Sequence, residues 1–338
     1  MQSLAVKYRP TTFEDVVGQQ SIIEILNRQI ENQEYSNVYL FAGPSGTGKT
    51  TIARAFANKI NKNVGSPIEI DAASNNGVDN IREIIKSAKE RSLDSKYKIY
   101  IMDEAHMLTT QSWNALLKII EEPPTYTIFM FATTDPQKIP ATIQNRVMRF
   151  NLTRISSDKI KSRLIYICQQ ENFLNYEDTC DYISRISNNQ MRDAIANLEK
   201  CAGYNIDLSL ENCFTALGVY SYQIFSDLTN FIIDGNSERL VRLLNYVYNQ
   251  GNDMKLFINQ YLSFLLNVCK YSICKDINVT TFPVTFQSEL LNLINVDNAC
   301  KYYTYLIDKI LILKNMLKND VTAKDTVEVY LIHLCVGE

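Results

Sequence analysis

The sequence predicts an α/β domain built on a parallel sheet, followed by regions that are helical throughout. Three observations carry this. Short apolar runs recur at 38–42, 67–71, 98–102, 128–133 and 146–150, with helical patterns between the first four. Alternation of that kind gives a parallel sheet covered on both faces, with ligands at the carboxyl ends of its strands. A glycine-rich stretch, Gly43-Pro44-Ser45-Gly46-Thr47-Gly48-Lys49-Thr50, lies between the first run and the helical pattern that opens at Thr51. After Asn151 the strand-like runs stop, and apolar positions recur at helical spacing.

The opening segment, 1–20, holds Lys7-Tyr8-Arg9-Pro10 and Val16-Val17-Gly18-Gln19. Pro and Gly break it, so it reads as an ordered arm leading into a helix at about 20–32. Beyond the sheet region, helical patterns at 159–170, 178–187 and 191–202 suggest a small three-helix unit. Others at 225–232, 240–247, 255–270, 299–317 and 324–335 make the remainder, about 216–338, helical as well. That remainder carries no catalytic motif, which leaves packing and oligomerisation as its two readings. The divisions expected are 1–150, 151–215 and 216–338.

The totals describe an ordinary globular protein of 338 residues, 46% hydrophobic and 21% charged. A net charge of −3 excludes a chain that is basic all over, so contact with nucleic acid requires a local basic patch. The N-terminus has no apolar leader, and runs such as 261–269 are too short to span a bilayer. We therefore expect a cytoplasmic protein with no membrane partner. Eight cysteines without a Cys-x-x-Cys pair point to reduced, partly buried thiols. Two histidines are too few for a metal cluster.

Strand, glycine-rich turn, then a helix opening on Lys and Thr is the context a phosphate-cradling loop requires. Glycines let backbone N–H groups turn onto phosphates, and the helix N-terminus adds a favourable dipole. A nucleoside triphosphate is the expected ligand, held by Gly43, Pro44, Ser45, Gly46, Thr47, Gly48, Lys49, Thr50 and Thr51. Lys49 is expected to reach the β- and γ-phosphates and Thr50 to ligate Mg²⁺. Asp103-Glu104 closes the third apolar run, 54 residues after Lys49 (103 − 49 = 54). Asp103 would hold Mg²⁺ through water, and Glu104 would orient or deprotonate the attacking water; the alternative is a solvated acidic turn.

Thr134, at the end of the fourth run, is either a γ-phosphate sensor or a capping residue. Arg146 stands at the edge of the last run and Arg192 opens a later helix. Each is either a surface ion pair or a stabiliser of charge on the transferring phosphoryl group. Arg82, Lys86 and Lys89 line one face of a helical pattern, opposite Ile81, Ile84 and Ile85, and Lys118 lies on the next. Such a stripe is either a solvated face or a row of sequence-independent phosphate contacts.

Taken together, Tyr8-Arg9-Pro10, Val16-Val17-Gly18-Gln19, the phosphate loop, Asp71-Ala72-Ala73-Ser74-Asn75-Asn76-Gly77, Asp103-Glu104-Ala105-His106-Met107-Leu108, Asn114-Ala115-Leu116-Leu117-Lys118, Glu121-Glu122-Pro123-Pro124 and Ala132-Thr133-Thr134-Asp135-Pro136 resemble the gamma/tau motor subunit of the bacterial replicative clamp loader. The likeness is dense over about residues 4–200 and fades to helical character after 215. It implies an AAA+ P-loop module at 1–150, a helical lid at 151–215 and an all-α collar at 216–338 that assembles a pentameric spiral. The implied partners are delta-like and delta-prime-like subunits or further copies of the chain, a sliding clamp, and primer–template DNA.

Position by position, the resemblance gives Tyr8, Arg9 and Val17 adenine-side contacts, Thr134 the role of sensor 1 and Arg192 that of sensor 2. It makes Arg146 the finger reaching a neighbouring subunit's ATP, and Arg82 and Lys118 contacts to DNA phosphates. Two departures stand out. The family's Ser-Arg-Cys finger motif is Asn145-Arg146-Val147 here. The four-cysteine zinc insertion of the family's cellular members is replaced by a direct run from Ile60 to Pro67 without cysteine, so no zinc is expected. A compact form without the long tau-type extension, from a phage or a reduced genome, fits this pattern.

The expected function is an ATP-driven subunit that opens a sliding clamp and places it on primed DNA. Two alternatives stay open. One is an ATP-dependent DNA helicase, for which Asp103-Glu104-Ala105-His106 spells a group signature. The other is a replication scaffold that binds ATP and barely hydrolyses it.

Overall fold

The computed structural model describes residues 2–251, 253–320 and 322–337. These fall into two units: Met1–Ile167 with Ser187–Ala196, and Cys168–Ile186 with Asn197–Glu338.

The first unit is organised by five parallel strands, β1 (Val38–Ala42), β2 (Ile68–Asp71), β3 (Lys98–Asp103), β4 (Thr127–Thr133) and β5 (Met148–Asn151), in the order β2-β3-β4-β1-β5. Val38 pairs with Phe129 and Ala42 with Thr133, while Tyr39 pairs with Met148. Because successive side chains of a strand leave opposite faces, the apolar residues sort by parity into two cores. Tyr39, Phe41, Ile99, Ile101, Ile128 and Met130 face helices α2 (Gln20–Asn32) and α3 (Lys49–Ile60), where Ile52 and Phe56 are fully buried. Val38, Leu40, Tyr100, Met102, Phe129 and Phe131 face α4 (Val78–Ala88) and α5 (Thr110–Glu121), packed by Ile81, Trp113 and Leu116. Double-sided burial explains why β1 and β4 are continuous apolar runs rather than alternating ones. Central position also places the end of β1 beside the ends of β4 and β5, where the glycine-rich loop begins.

The remaining helices of this unit are short or peripheral. A four-residue turn of helix, α1 (Leu4–Lys7), lies in the arm. Between β4 and β5 the chain forms only a 3₁₀ turn at Pro136–Lys138 and α6 (Ala141–Gln144). The expected last strand, 146–150, begins at Met148 instead, because the Arg146 N–H donates to the Ile143 carbonyl at 2.9 Å and so belongs to the preceding turn. The unit also includes residues 157–167 of α7 (Ser157–Glu171) and the first turns of α9 (Met191–Tyr204), which follows α8 (Glu177–Ile186) in the chain.

The second unit contains no strand among its described residues. It comprises α8, the rest of α9, α10 (Leu210–Leu217), α11 (Tyr222–Ile233), α12 (Ser237–Asn249), α13 (Met254–Cys274), α14 (Gln287–Leu293), α15 (Ala299–Met316) and α16 (Ala323–Val336). Phe225, Phe257, Tyr261, Phe264, Tyr303, Ile310 and Leu331 lie in one buried core. The longer helices follow the expected periodicities. The short α10 and α14 go beyond them, since seven or eight residues give the helical period too few turns to register. All eight cysteines are free thiols, five of them buried. No helix among the described residues is long and apolar enough to cross a membrane.

Candidate nucleotide-binding site

The loop from Gly43 to Gly48 leaves β1 and turns directly into α3. Gly48 caps the helix with φ +95° and Gly46 has φ +70°, both in the left-handed region that glycine enters without steric cost. A Cβ at Gly46 would stand 2.8 Å from Cβ of Gln190, and the Met191 N–H donates to the Gly46 carbonyl at 3.3 Å. The loop is therefore in backbone contact with the start of α9. Lys49 folds back over it: Nζ donates to the carbonyls of Gly43 and Pro44, each at 2.9 Å. Burial lowers the Lys49 pKa, against the opposing pull of Glu104 and Asp103. The first-turn N–H groups of α3 have no partner within the helix, so this end is suited to an anion.

β3 delivers the acidic pair. The Thr50 hydroxyl donates to Asp103 Oδ2 at 2.6 Å, and the Glu104 N–H donates to Asp103 Oδ1 at 2.9 Å. Glu104 itself has φ +47° and ψ +41°, a left-handed conformation that costs a non-glycine residue about 1 kcal/mol or more. Its Oε2 accepts from the Thr134 hydroxyl at 3.4 Å and lies 3.4 Å from His106 Nδ1. A hydroxyl beside one carboxylate is a hard-oxygen donor set. It suits Mg²⁺, which takes few protein ligands and completes its shell with phosphate and water.

These elements line a cavity of about 480 Å³, within the size range of small-ligand sites. Of the residues expected there from sequence, Tyr8, Arg9, Val17, Ser45, Gly46, Thr47, Gly48, Lys49, Thr50, Thr51, Asp103, Glu104 and Arg192 all line it. Gly43 and Pro44 lie beneath as the acceptors for Lys49. Burial, and then neighbouring Arg54, lower the pKa of Arg9. Tyr8 makes an edge-to-face contact with Tyr166, and its carbonyl accepts from Arg163 at 3.0 Å.

Several lining residues were not expected from sequence: Glu69, Ile155, Arg163, Met191 and Ile195. Glu69 sits in β2 and forms a two-bonded ion pair with Arg54 of α3. Gln19 reads in sequence only as the end of the Val16-Val17-Gly18-Gln19 stretch, yet its buried amide ties three segments together. Nε2 donates to the Thr153 carbonyl at 2.6 Å and to that of Thr47 at 3.5 Å, while Oε1 accepts from the Thr153 N–H at 3.1 Å. Its left-handed φ of +60° beside Gly18 is a conformational signal that sequence does not display.

Besides Gly43 and Pro44, four expected residues lie outside the cavity lining. Thr134 reaches it only through Glu104. Arg146 is half-exposed, paired with Glu121 at 2.9 Å and donating to the Thr142 carbonyl at 2.6 Å. Arg82 is exposed and paired with Asp79 at 2.9 Å. Lys118 is exposed on α5, which packs beside α4.

A family model described as DNA polymerase III, delta subunit, matches residues 62–156. The DNA polymerase III subunit gamma of Buchnera aphidicola subsp. Schizaphis graminum is 31% identical over 333 residues, covering 92% of this chain and 91% of that protein. The DNA polymerase III subunit tau of Bacillus subtilis is 36% identical over 292 residues, covering 80% of this chain and 52% of the relative. For Mycoplasma genitalium gamma/tau the values are 32% identity, 90% of this chain and 54% of the relative, so the chain spans about half the length of these two. Among solved structures, Thermotoga maritima RuvB matches with a TM-score of 0.53 at 18% identity, over 77% of this chain and 90% of that one. That likeness concerns the fold, which is AAA+. With near-complete coverage of the Buchnera protein above 30% identity, this chain belongs to the DNA polymerase III gamma/tau family.

Proposed function

We propose that the chain is an ATP-driven clamp-loader subunit, which opens a sliding clamp and places it on primed DNA. The observation that carries the reading is the convergence of three segments on one cavity. The arm brings Tyr8, Arg9 and Val17, the phosphate loop brings Lys49 and Thr50, and the start of α9 brings Arg192. A nucleotide bound there would touch all three at once, so its arrival and hydrolysis would alter how the loop and α9 are held together.

In this reading Lys49 leaves the loop carbonyls for the β- and γ-phosphates. Thr50 and Asp103 would hold Mg²⁺, which neutralises charge on the phosphates. Thr134 and Arg192 act as sensors of the γ-phosphate. Glu104 orients the attacking water and is positioned to take its proton. Arg146, outside its own chain's cavity, serves the ATP of a neighbouring subunit, and Arg82 and Lys118 contact DNA phosphates. The division into an ATPase module at 1–150, a lid at 151–215 and a collar at 216–338 belongs to the same proposal. So do a cytoplasmic location, a site without zinc, and assembly with delta-type subunits or further copies of the chain.

The test is co-purification with candidate clamp and delta-type subunits, followed by transfer of labelled clamp to a primed circular template. ATP-dependent transfer supports the reading. Unwinding of a duplex by the purified chain would instead support a helicase, and stable ATP binding without turnover would support a scaffold.

A further inference from the structure

In the stretch Asp103-Glu104-Ala105-His106, the proposed reaction leaves one polar residue without a role, His106. It sits in the 3₁₀ turn Ala105–Met107 immediately after Glu104, with its side chain only 13% exposed. Nδ1 lies 3.3 Å from the Thr133 hydroxyl oxygen and 3.4 Å from Glu104 Oε2. Thr133 is fully buried at the end of β4, and its oxygen also accepts the Asp135 N–H at 3.1 Å. An ionised carboxylate only accepts hydrogen bonds, so a bare Nδ1 lone pair facing Glu104 would be repulsive. The tautomer with the proton on Nδ1 makes the Thr133 oxygen the acceptor and sets an N–H 3.4 Å from the Glu104 carboxylate.

Glu104 therefore has one side-chain hydrogen-bond donor, the Thr134 hydroxyl, and beside it the His106 ring nitrogen in electrostatic contact at 3.4 Å. They differ in one respect. Thr134 is the proposed γ-phosphate sensor, and its single hydroxyl proton is withdrawn from Glu104 when it turns to phosphate. The His106 ring is anchored on a buried strand end and has no such competing duty.

We propose that His106 is a positioning residue, whose Nδ1–H keeps the Glu104 carboxylate oriented once Thr134 has engaged the nucleotide. This rests on the ATPase reading above. Because His106 does not line the cavity, its loss should act on turnover and leave nucleotide affinity alone.

The experiment measures ATP affinity, KM and kcat for the full chain assembled with its partner subunits, in wild type and in His106→Ala, His106→Gln and His106→Asn. An asparagine amide N–H can stand where Nδ1–H stands, whereas the glutamine amide lies one methylene further out. We expect kcat to fall about tenfold in the alanine and glutamine variants, with affinity and KM unchanged, and to be largely restored by asparagine. Wild-type kcat in His106→Ala, or equal losses in the Asn and Gln variants, overturns the positioning role. So does a loss of kcat accompanied by equal losses of affinity and thermal stability, which marks a merely structural side chain. A wild-type assembly that binds ATP without turning it over contradicts the ATPase reading itself, and the inference falls with it.

Discussion

Thr50 and Asp103 are joined by a 2.6 Å hydrogen bond from hydroxyl to carboxylate, linking the first turn of α3 to the end of β3 across 53 residues of chain. Each group is otherwise a natural ligand for the same hard cation. The bond therefore marks the place where helix start and strand end meet and, in the proposed mechanism, the place where Mg²⁺ would be held.

Lys49→Ala removes the one ammonium placed within the phosphate loop. Charge-assisted contacts contribute about 1.5–3 kcal/mol each, so ATP affinity should weaken by about a hundredfold. Isothermal titration with a non-hydrolysed ATP analogue measures this; near-wild-type affinity would mean that the triphosphate lies elsewhere.

Arg146→Ala should leave ATP binding intact and remove DNA-stimulated hydrolysis by the assembled complex. The side chain is outside its own cavity, and its exposed pairing with Glu121 is worth about 1 kcal/mol at most. Folding should therefore tolerate the change. Full stimulated turnover in the variant assembly would remove Arg146 from the mechanism.

Arg82→Ala and Lys118→Ala should weaken DNA binding by similar factors whatever the sequence. Each should reduce the slope of log affinity against log salt by about 1, because in the proposed role each would delete a single phosphate contact. Fluorescence anisotropy over a salt series checks this, and unchanged slopes would return both residues to the status of solvated surface.

Phe56→Ala should cost about 3–5 kcal/mol of unfolding free energy. The ring is fully buried between α3 and the sheet, against Phe13, Tyr35 and Tyr39. By contrast Tyr246→Ala, at a site 57% exposed, should change stability by about 0.5 kcal/mol or less. Equal effects in denaturant unfolding would contradict the packing described for this face.

Glu14 offers a pH test of the arm. The Lys59 ammonium donates to Glu14 Oε1 at 2.8 Å and holds the carboxyl down at about 2, from an ordinary 4.5. A depressed carboxylate contributes stability above its unfolded pKa and loses it as pH falls through the folded value. The contribution is small, because the Glu14 side chain is 69% exposed. A carbon NMR titration should place the Glu14 midpoint near 2, and a midpoint near 4.5 would mean that the arm does not dock through this pair.

Much of the site was legible in the sequence because its parts are local. Gly43 to Thr50 announces a strand–turn–helix by itself, and Asp103-Glu104 closes an apolar run whose parity and length identify β3. What sequence did not show depends on distant partners. Gln19 and Thr153 bond across 134 residues, Arg163 reaches the carbonyl of Tyr8, and Glu69 enters the cavity wall because β2 lies beside β3. His106 was legible only as a letter of a motif, since its relation to Glu104 requires the 3₁₀ turn and the buried Thr133. Arg146 was visible as an arginine before a strand, but the turn that delays β5 to Met148, and the pairing with Glu121, come from tertiary packing.

ATP turnover by the chain assembled with candidate clamp and delta-type subunits, measured with and without primed template, tests the central claim most directly. The account predicts slow hydrolysis without DNA, acceleration by a primed junction, and loss of both in Glu104→Gln with ATP still bound. Turnover indifferent to primed DNA, or unaffected by Glu104→Gln, would contradict it.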